Sequence, residues 1–180
     1  MYDAHWEDCA VDFETAHFLN GFGHADKKFH FKPNWSAIGA DVAGLPPLPD
    51  HATLTDAPTD QHPLRLVTAP ARQFLNSTFT PTPTSRAREG RPTLLIHPQD
   101  AARYGVVDGG AIAVGNKLGS IWLHAKFFDG LLPGVVVIES LWGNADFPGG
   151  LGVNALVSDE PGKPDGGAVF HDTAVWVKAA

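Results

Sequence analysis

The hydrophobic pattern changes character near His62. From there onward short apolar runs alternate with polar positions and are punctuated by Gly and Pro, as strands joined by turns require. Leu64 to Thr68 alternates as a strand, and Thr93 to Ile96 is a short apolar run suited to a buried one. Pro98 to Tyr104 predicts a short helix: Pro98 suits its first turn, Asp100 complements the positive end of the helix dipole, and Gly105 ends it. Asp108, Gly109 and Gly110 turn the chain into a strand at Ala111 to Val114, and Asn116 to Gly119 reads as a hairpin-like connection. Ser120 to Phe128 alternates, with Ile121, Leu123, Ala125 and Phe127 on one face and Trp122, His124, Lys126 and Phe128 on the other. Pro133 and Gly134 turn into a strand at Val135 to Ile138, and Ala174 to Lys178 is the last. Six or so short strands with one short helix among them predict a closed or nearly closed β-barrel over residues 62–180.

Residues 1–61 read as an irregular N-terminal extension and connector. A weak helical stretch runs through Phe13, Ala16, His17, Phe18 and Leu19, stopped by Gly21 and Gly23. Lys28 to Lys32 alternates and predicts one short strand, and Leu45 to Pro49 is extended connector because proline fixes φ and removes amide donors. Trp6, Phe13, Phe18, Phe22, Phe29, Phe31 and Trp35 are too many aromatics for a disordered tail. They need a surface to bury against, supplied by the barrel or by another domain.

Composition narrows the function classes. Charged residues are 18% of the 180, with 19 Gly and 15 Pro, which disfavours helical bundles and coiled coils. The net charge of −7 sits entirely in residues 1–60, which hold ten acids and three bases, while the remainder is neutral. An acidic surface repels a nucleic-acid backbone, so no nucleic-acid partner is expected. The neutral part can still cradle a phosphorylated small molecule through backbone amides. One cysteine, Cys9, excludes an internal disulfide framework, and Val135 to Ile138 is too short an apolar run to cross a bilayer. With no basic and apolar leader after Met1, a cytoplasmic protein without a membrane partner is expected.

Few residues offer chemistry on their own. Asn76, Ser77 and Thr78 are short polar side chains after a strand, suited either to phosphate or heterocycle contacts or to a local turn. Asn154 follows the glycine-rich Pro148 to Gly152, where backbone can approach a flat ligand; its amide offers donor and acceptor, or it caps its own turn. Arg86, Arg88 and Arg91 form a loop cluster with Glu89, able to meet an anion or an acidic neighbouring domain, though simple solvation is the plainer reading. His24 and His30 lack a third ligand, so no metal site is expected, and no G-x-S-x-G or other nucleophile–base set occurs, so no catalytic residue is assigned.

Taken in order, Phe74 to Phe79, Glu89 to Gly109, Val114 to Gly119, Leu132 to Val136, Leu141–Trp142, Val153 to Leu156 and Phe170 to Thr173 resemble one family. The stretch 62–180 is similar to the C-terminal molybdopterin-dinucleotide-binding domain of the dimethyl sulfoxide reductase superfamily, which includes formate dehydrogenases, nitrate reductases, and biotin- and trimethylamine-oxide reductases. The resemblance implies a mainly β fold, a double-psi β-barrel with short helices. It implies a molybdopterin guanine dinucleotide cofactor carrying molybdenum or tungsten, over which such a domain closes in the complete enzyme. This chain by itself need hold none.

Catalytic subunits of that family are several times longer, and their metal ligand lies in earlier domains. The chain is therefore expected to be a fragment catalysing nothing by itself, with the remaining domains of a parent oxidoreductase as partners. A stand-alone molybdopterin-binding subunit, or a double-psi barrel adaptor for a protein partner, are the alternatives. The resemblance points to formate-dehydrogenase-like or biotin-sulfoxide-reductase-like members. Carried onto this sequence, the family's contacts fall on Thr68, Arg72, Asn76, Ser77, Thr78, Asn154, Gly167, Phe170 and His171. Cys9 does not correspond to a metal-ligating cysteine.

Overall fold

The computed structural model describes residues 8–40, 42–48, 56–163, 166–171 and 173–180. Of the residues named above, Met1, Trp6 and Pro49 lie outside these ranges, as does Asp172 within the Phe170 to Thr173 stretch. The chain divides into two units, Met1–Pro49 and Asp50–Ala180.

In the first unit the expected helix is a single turn, α1 (Phe13–Ala16). Asp12 caps it by accepting from the Thr15 amide at 3.0 Å, and Phe18 then takes a left-handed φ of 55°, which ends helical continuation. The expected strand at Lys28 to Lys32 does not form. The Asp26 carboxylate takes the Lys28 amide at 3.1 Å and the His30 ring at 3.0 Å, and no described residue offers a pairing strand. The aromatics stack on one another instead: Phe18 on Phe22 at 4.7 Å, Phe22 on Phe29 at 5.3 Å, Phe29 on Phe31 at 4.8 Å. Phe18, Phe29 and Phe31 nonetheless stay exposed. A second turn, α2 (Trp35–Ile38), sets the Trp35 indole to donate to the Pro46 carbonyl at 2.7 Å, so the proline segment folds back rather than running free.

The second unit holds β1 (Leu64–Pro70), α3 (Pro83–Glu89), β2 (Thr93–Ile96), α4 (Pro98–Arg103), β3 (Ala111–Gly115), β4 (Ser120–Phe127), β5 (Val135–Ser140) and β6 (Thr173–Ala179). The strands close a barrel in the order β1-β5-β2-β4-β3-β6, the mainly β, double-psi architecture. Two pairings are parallel: β1 with β5, from Arg65 opposite Val135 to Pro70 opposite Ser140, and β2 with β4. The rest are antiparallel, including β1 with β6, where Leu66 faces Thr173.

Alternation fills the interior. Leu64, Leu66, Leu94, Ile96, Ile112, Val114, Ile121, Leu123, Val136, Ile138 and Val175 are fully buried, and each such side chain contributes about 1.5–3 kcal/mol of transfer free energy. Phe127, expected to share the inward face, sits at the strand end and is partly exposed. Buried Asp100 of α4 accepts the Gly134 amide at 2.6 Å, while the Gly134 carbonyl accepts the Arg65 amide at 2.8 Å. These two bonds stitch α4 to the starts of β5 and β1.

Candidate cofactor-binding end of the barrel

Strand direction decides which loops meet. Because β1 and β5 run parallel, the segments leaving them, from 71 and from 141, emerge at one end. Because β6 runs antiparallel to β1, the segment entering it, 166–171, reaches the same end. Eight of the nine residues named from the resemblance lie on these three segments, and Thr68 lies on β1 just inside them.

Thr68, Phe170 and His171 are in direct contact. The Thr68 hydroxyl donates to the Phe170 carbonyl at 3.3 Å and lies 3.5 Å from His171 Nδ1, and the Phe170 and His171 rings are 4.3 Å apart. Gly167 forms a bridge with Gly162, its carbonyl accepting the Gly162 amide at 2.7 Å. Arg72 is exposed at the mouth.

Asn76 and Ser77 form the tip of a tight turn. Leu75 and Thr78 exchange amide–carbonyl bonds at 3.0 and 2.9 Å, with Asn76 at φ 50°, a conformation asparagine tolerates better than most residues. The Thr80 hydroxyl donates to the Ser77 carbonyl at 2.7 Å and fixes the far side of the turn. Leu75 to Phe79 are all exposed.

Asn154 sits in a 3-10 turn, Val153–Leu156, with its residue exposed and no side-chain cap at the turn's start. Its neighbours hold the loop. Asn144 Oδ1 accepts the Gly152 amide at 3.0 Å, and Asn116 Nδ2 donates to the Leu156 carbonyl at 2.7 Å. A Cβ at Gly152 would lie 2.8 Å from Asn144 Oδ1, so a larger residue would push that side chain off the Gly152 amide. Among the described residues no hydrogen bond or ring contact joins Asn154 to the Asn76–Thr78 turn; the two are linked through other residues.

The connecting residues are the ones sequence reading passed over. The segment read as a loop carrying Arg86 and Arg88 forms the seven-residue helix α3, announced by Pro83 in its first turn and Gly90 after its last residue. The arginines are not simply solvated. Arg86 pairs with Asp146, donates to the Thr80 carbonyl at 3.2 Å, and lies 5.2 Å over the Trp142 ring. Trp142 in turn meets buried Phe74 edge-on at 5.0 Å. Glu89 accepts the Gln73 amide, Arg88 reaches the Gln73 side chain at 3.4 Å, and Arg91 donates to the Gly109 carbonyl at 3.1 Å.

The donors gathered here are neutral amides and hydroxyls, glycine-rich backbone and one exposed arginine. That set fits a polar heterocycle with a phosphate-bearing tail: hydroxyls and amides match ring edges, and a guanidinium forks onto phosphate. Among the described residues, no group of three or more His, Cys, Asp or Glu side chains is placed to hold a metal ion. The arrangement is a closed barrel with these polar groups gathered on loops at one mouth.

The molydopterin dinucleotide binding domain family matches residues 64–174, and the chain belongs to it. It is 38% identical to the probable oxidoreductase YoaE of Bacillus subtilis over 136 residues, covering 75% of this chain and 19% of that protein. It is 26% identical to dimethyl sulfoxide reductase DmsA of Escherichia coli over 151 residues, covering 80% of this chain and 18% of that one. The fold also resembles that of acetylene hydratase from Pelobacter acetylenicus, with a TM-score of 0.64 at 19% identity over 89% of this chain and 24% of that one. The chain thus spans about a fifth of the length of the curated relatives it matches. It is a molybdopterin-dinucleotide-binding domain of the dimethyl sulfoxide reductase superfamily, and its cofactor in the full enzyme is a molybdopterin guanine dinucleotide.

Proposed function

We propose that this domain closes over the dinucleotide cofactor of a longer molybdenum oxidoreductase, using the mouth formed by 68–79, 152–156 and 166–171. The observation that carries the reading is the strand arrangement, parallel β1 and β5 beside antiparallel β6, which gathers these three segments at one end. Bound there, the cofactor supplies two-electron redox chemistry at its metal. The protein's share is hydrogen bonding and water exclusion. Asn76, Ser77 and Thr78 donate to and accept from the cofactor's polar edges, Asn154 pairs with a flat ring through its amide, and Arg72 meets phosphate. Thr68 and His171 line the wall, with Gly167 and Phe170 shaping the opposite lip.

The partners in this reading are the remaining domains of the parent oxidoreductase, supported by relatives several times as long. The acidic residues 1–60 support the expectation of no nucleic-acid partner. Formate-dehydrogenase-like or biotin-sulfoxide-reductase-like chemistry and a cytoplasmic, membrane-free setting complete the proposal; the first is supported by sequence resemblance, and cell fractionation tests the second.

The reading is tested on the whole protein that carries this chain. Acid release should yield a guanine nucleotide together with molybdenum or tungsten. Hydrogen exchange with and without cofactor should show protection at 68–79, 152–156 and 166–171. Protection confined to the opposite end, near Asp100 and Gly134, overturns the site.

A further inference from the structure

We infer that Arg86 is a positioning residue that sets the spacing between the two groups of cofactor donors, the Asn76–Thr78 turn and the Asn154 turn. The inference rests on the proposed cofactor site and adds to it a residue that faces neither ring nor phosphate.

Two chains of contacts radiate from one guanidinium. Nη1 donates to the Thr80 carbonyl at 3.2 Å, and the Thr80 hydroxyl donates to the Ser77 carbonyl at 2.7 Å, which reaches the first turn. Nη2 pairs with Asp146. Asp146 ends the 3-10 turn Asn144–Asp146, whose first residue holds the Gly152 amide at 3.0 Å, two residues before Asn154. Asp146 Oδ2 also takes the Gly143 amide at 3.1 Å, so the carboxylate braces its own loop while it holds the arginine.

Packing supports the same link. The Trp142 ring lies under the guanidinium and against Phe74, which joins the loop after β5 to the loop after β1 a second time. Only a planar fork with several donors serves a carbonyl on one side, a carboxylate on the other and an aromatic face beneath. A lysine has one ammonium centre and keeps the ion pair at the expense of the Thr80 contact. With Arg86 40% and Asp146 22% exposed at their side chains, the pair is partly screened, so geometry rather than raw charge is its main effect.

The test uses the cofactor-loaded protein that carries this chain, unaltered and as Arg86→Ala and Arg86→Lys. Two quantities are read: hydrogen exchange over 74–80, 143–156 and β2–β4, and the half-time of cofactor loss well below the melting temperature. Arg86→Ala should speed exchange in both loop segments together, leave β2–β4 unchanged, and shorten the half-time about tenfold, as expected for loss of one charge-assisted bond. Arg86→Lys should keep protection over 143–156 and lose it over 74–80. Loosening of only one segment by Arg86→Ala, or equal loosening of β2–β4, overturns the inference; if that variant does not fold, the split response of Arg86→Lys decides. An unchanged half-time with both loops loosened also overturns it. If Asn154→Ala then leaves the half-time unchanged as well, the cofactor site itself is what failed.

Discussion

The hydroxyl of Thr68 donates to the carbonyl of Phe170 at 3.3 Å, across 102 positions of sequence. The bond pins the loop before β6 to the end of β1, where two of the three mouth segments meet. Thr68→Val keeps the shape and removes the donor. Because the contact is solvent-accessible, the expected loss of stability is at the low end of about 0.5–1.5 kcal/mol. Exchange of the 166–171 amides should nevertheless quicken, and unchanged exchange there means the loop is held by other contacts.

Asn154→Ala separates binding from folding. The side chain is exposed, and Asn144 and Asn116 brace the neighbouring backbone. In the cofactor-loaded protein the change should weaken cofactor retention about five- to a hundredfold, the cost of leaving one buried ligand group unpaired. Thermal melting of the 180-residue chain should barely move. A loss above about 1 kcal/mol there would instead mark Asn154 as a structural residue.

Gly115→Ala tests the barrel wall. A Cβ at this position would lie 2.3 Å from Trp176 Cζ2 and 2.8 Å from the Gly119 carbonyl oxygen. The expected cost is about 1–3 kcal/mol or more, read from a denaturant midpoint. Adding Trp176→Leu relieves the ring but not the carbonyl, so it should restore only part of the loss. Full restoration would locate the whole clash at the indole.

His124 gives the domain a mild acid sensitivity. Its Nδ1 is buried without a hydrogen-bond partner among the described residues. Burial pushes its pKa below the ordinary histidine value, and the Arg91 charge pushes the same way. The folded state therefore favours the neutral ring. Its contribution is complete above the ordinary value of about 6.5 and is lost as pH falls below it toward the folded value. Unfolding midpoints measured at about pH 7.5 and pH 5.5, on either side of that value, should converge in His124→Phe relative to the unaltered chain. An identical pH response in both proteins would assign the sensitivity to other groups.

The elements legible in sequence are those fixed by neighbours in the chain. Thr93–Ile96 forms β2 at the expected bounds, and Pro98, Asp100 and Gly105 delimit α4 within a residue. Lys28 to Lys32 failed for the complementary reason: alternation alone does not make a strand where the Asp26 carboxylate captures the backbone and no pairing strand is at hand. α3 was hidden by Pro83, which opens its first turn rather than belonging to a loop. The role of Arg86 was out of reach, since Asp146 lies 60 positions away and Trp142 further from local pattern than any motif extends. The family resemblance located the mouth residues; only the strand directions explain why those segments meet.

The pairing of β1 with β5 and β6 has a consequence for synthesis on the ribosome. β1 emerges first of the six strands, yet Arg65 pairs with Val135 and Ala174. A nascent chain can assemble the β3–β4 hairpin early, because those strands are joined by a few residues. β1 must wait, with Leu64 and Leu66 uncovered, until β5 has cleared the exit tunnel, and its other edge stays open until β6 has done so. The mouth of the barrel is thus among the last parts to form, and a cofactor bound there as proposed, against Thr68 and His171, is loaded only after β6 has emerged.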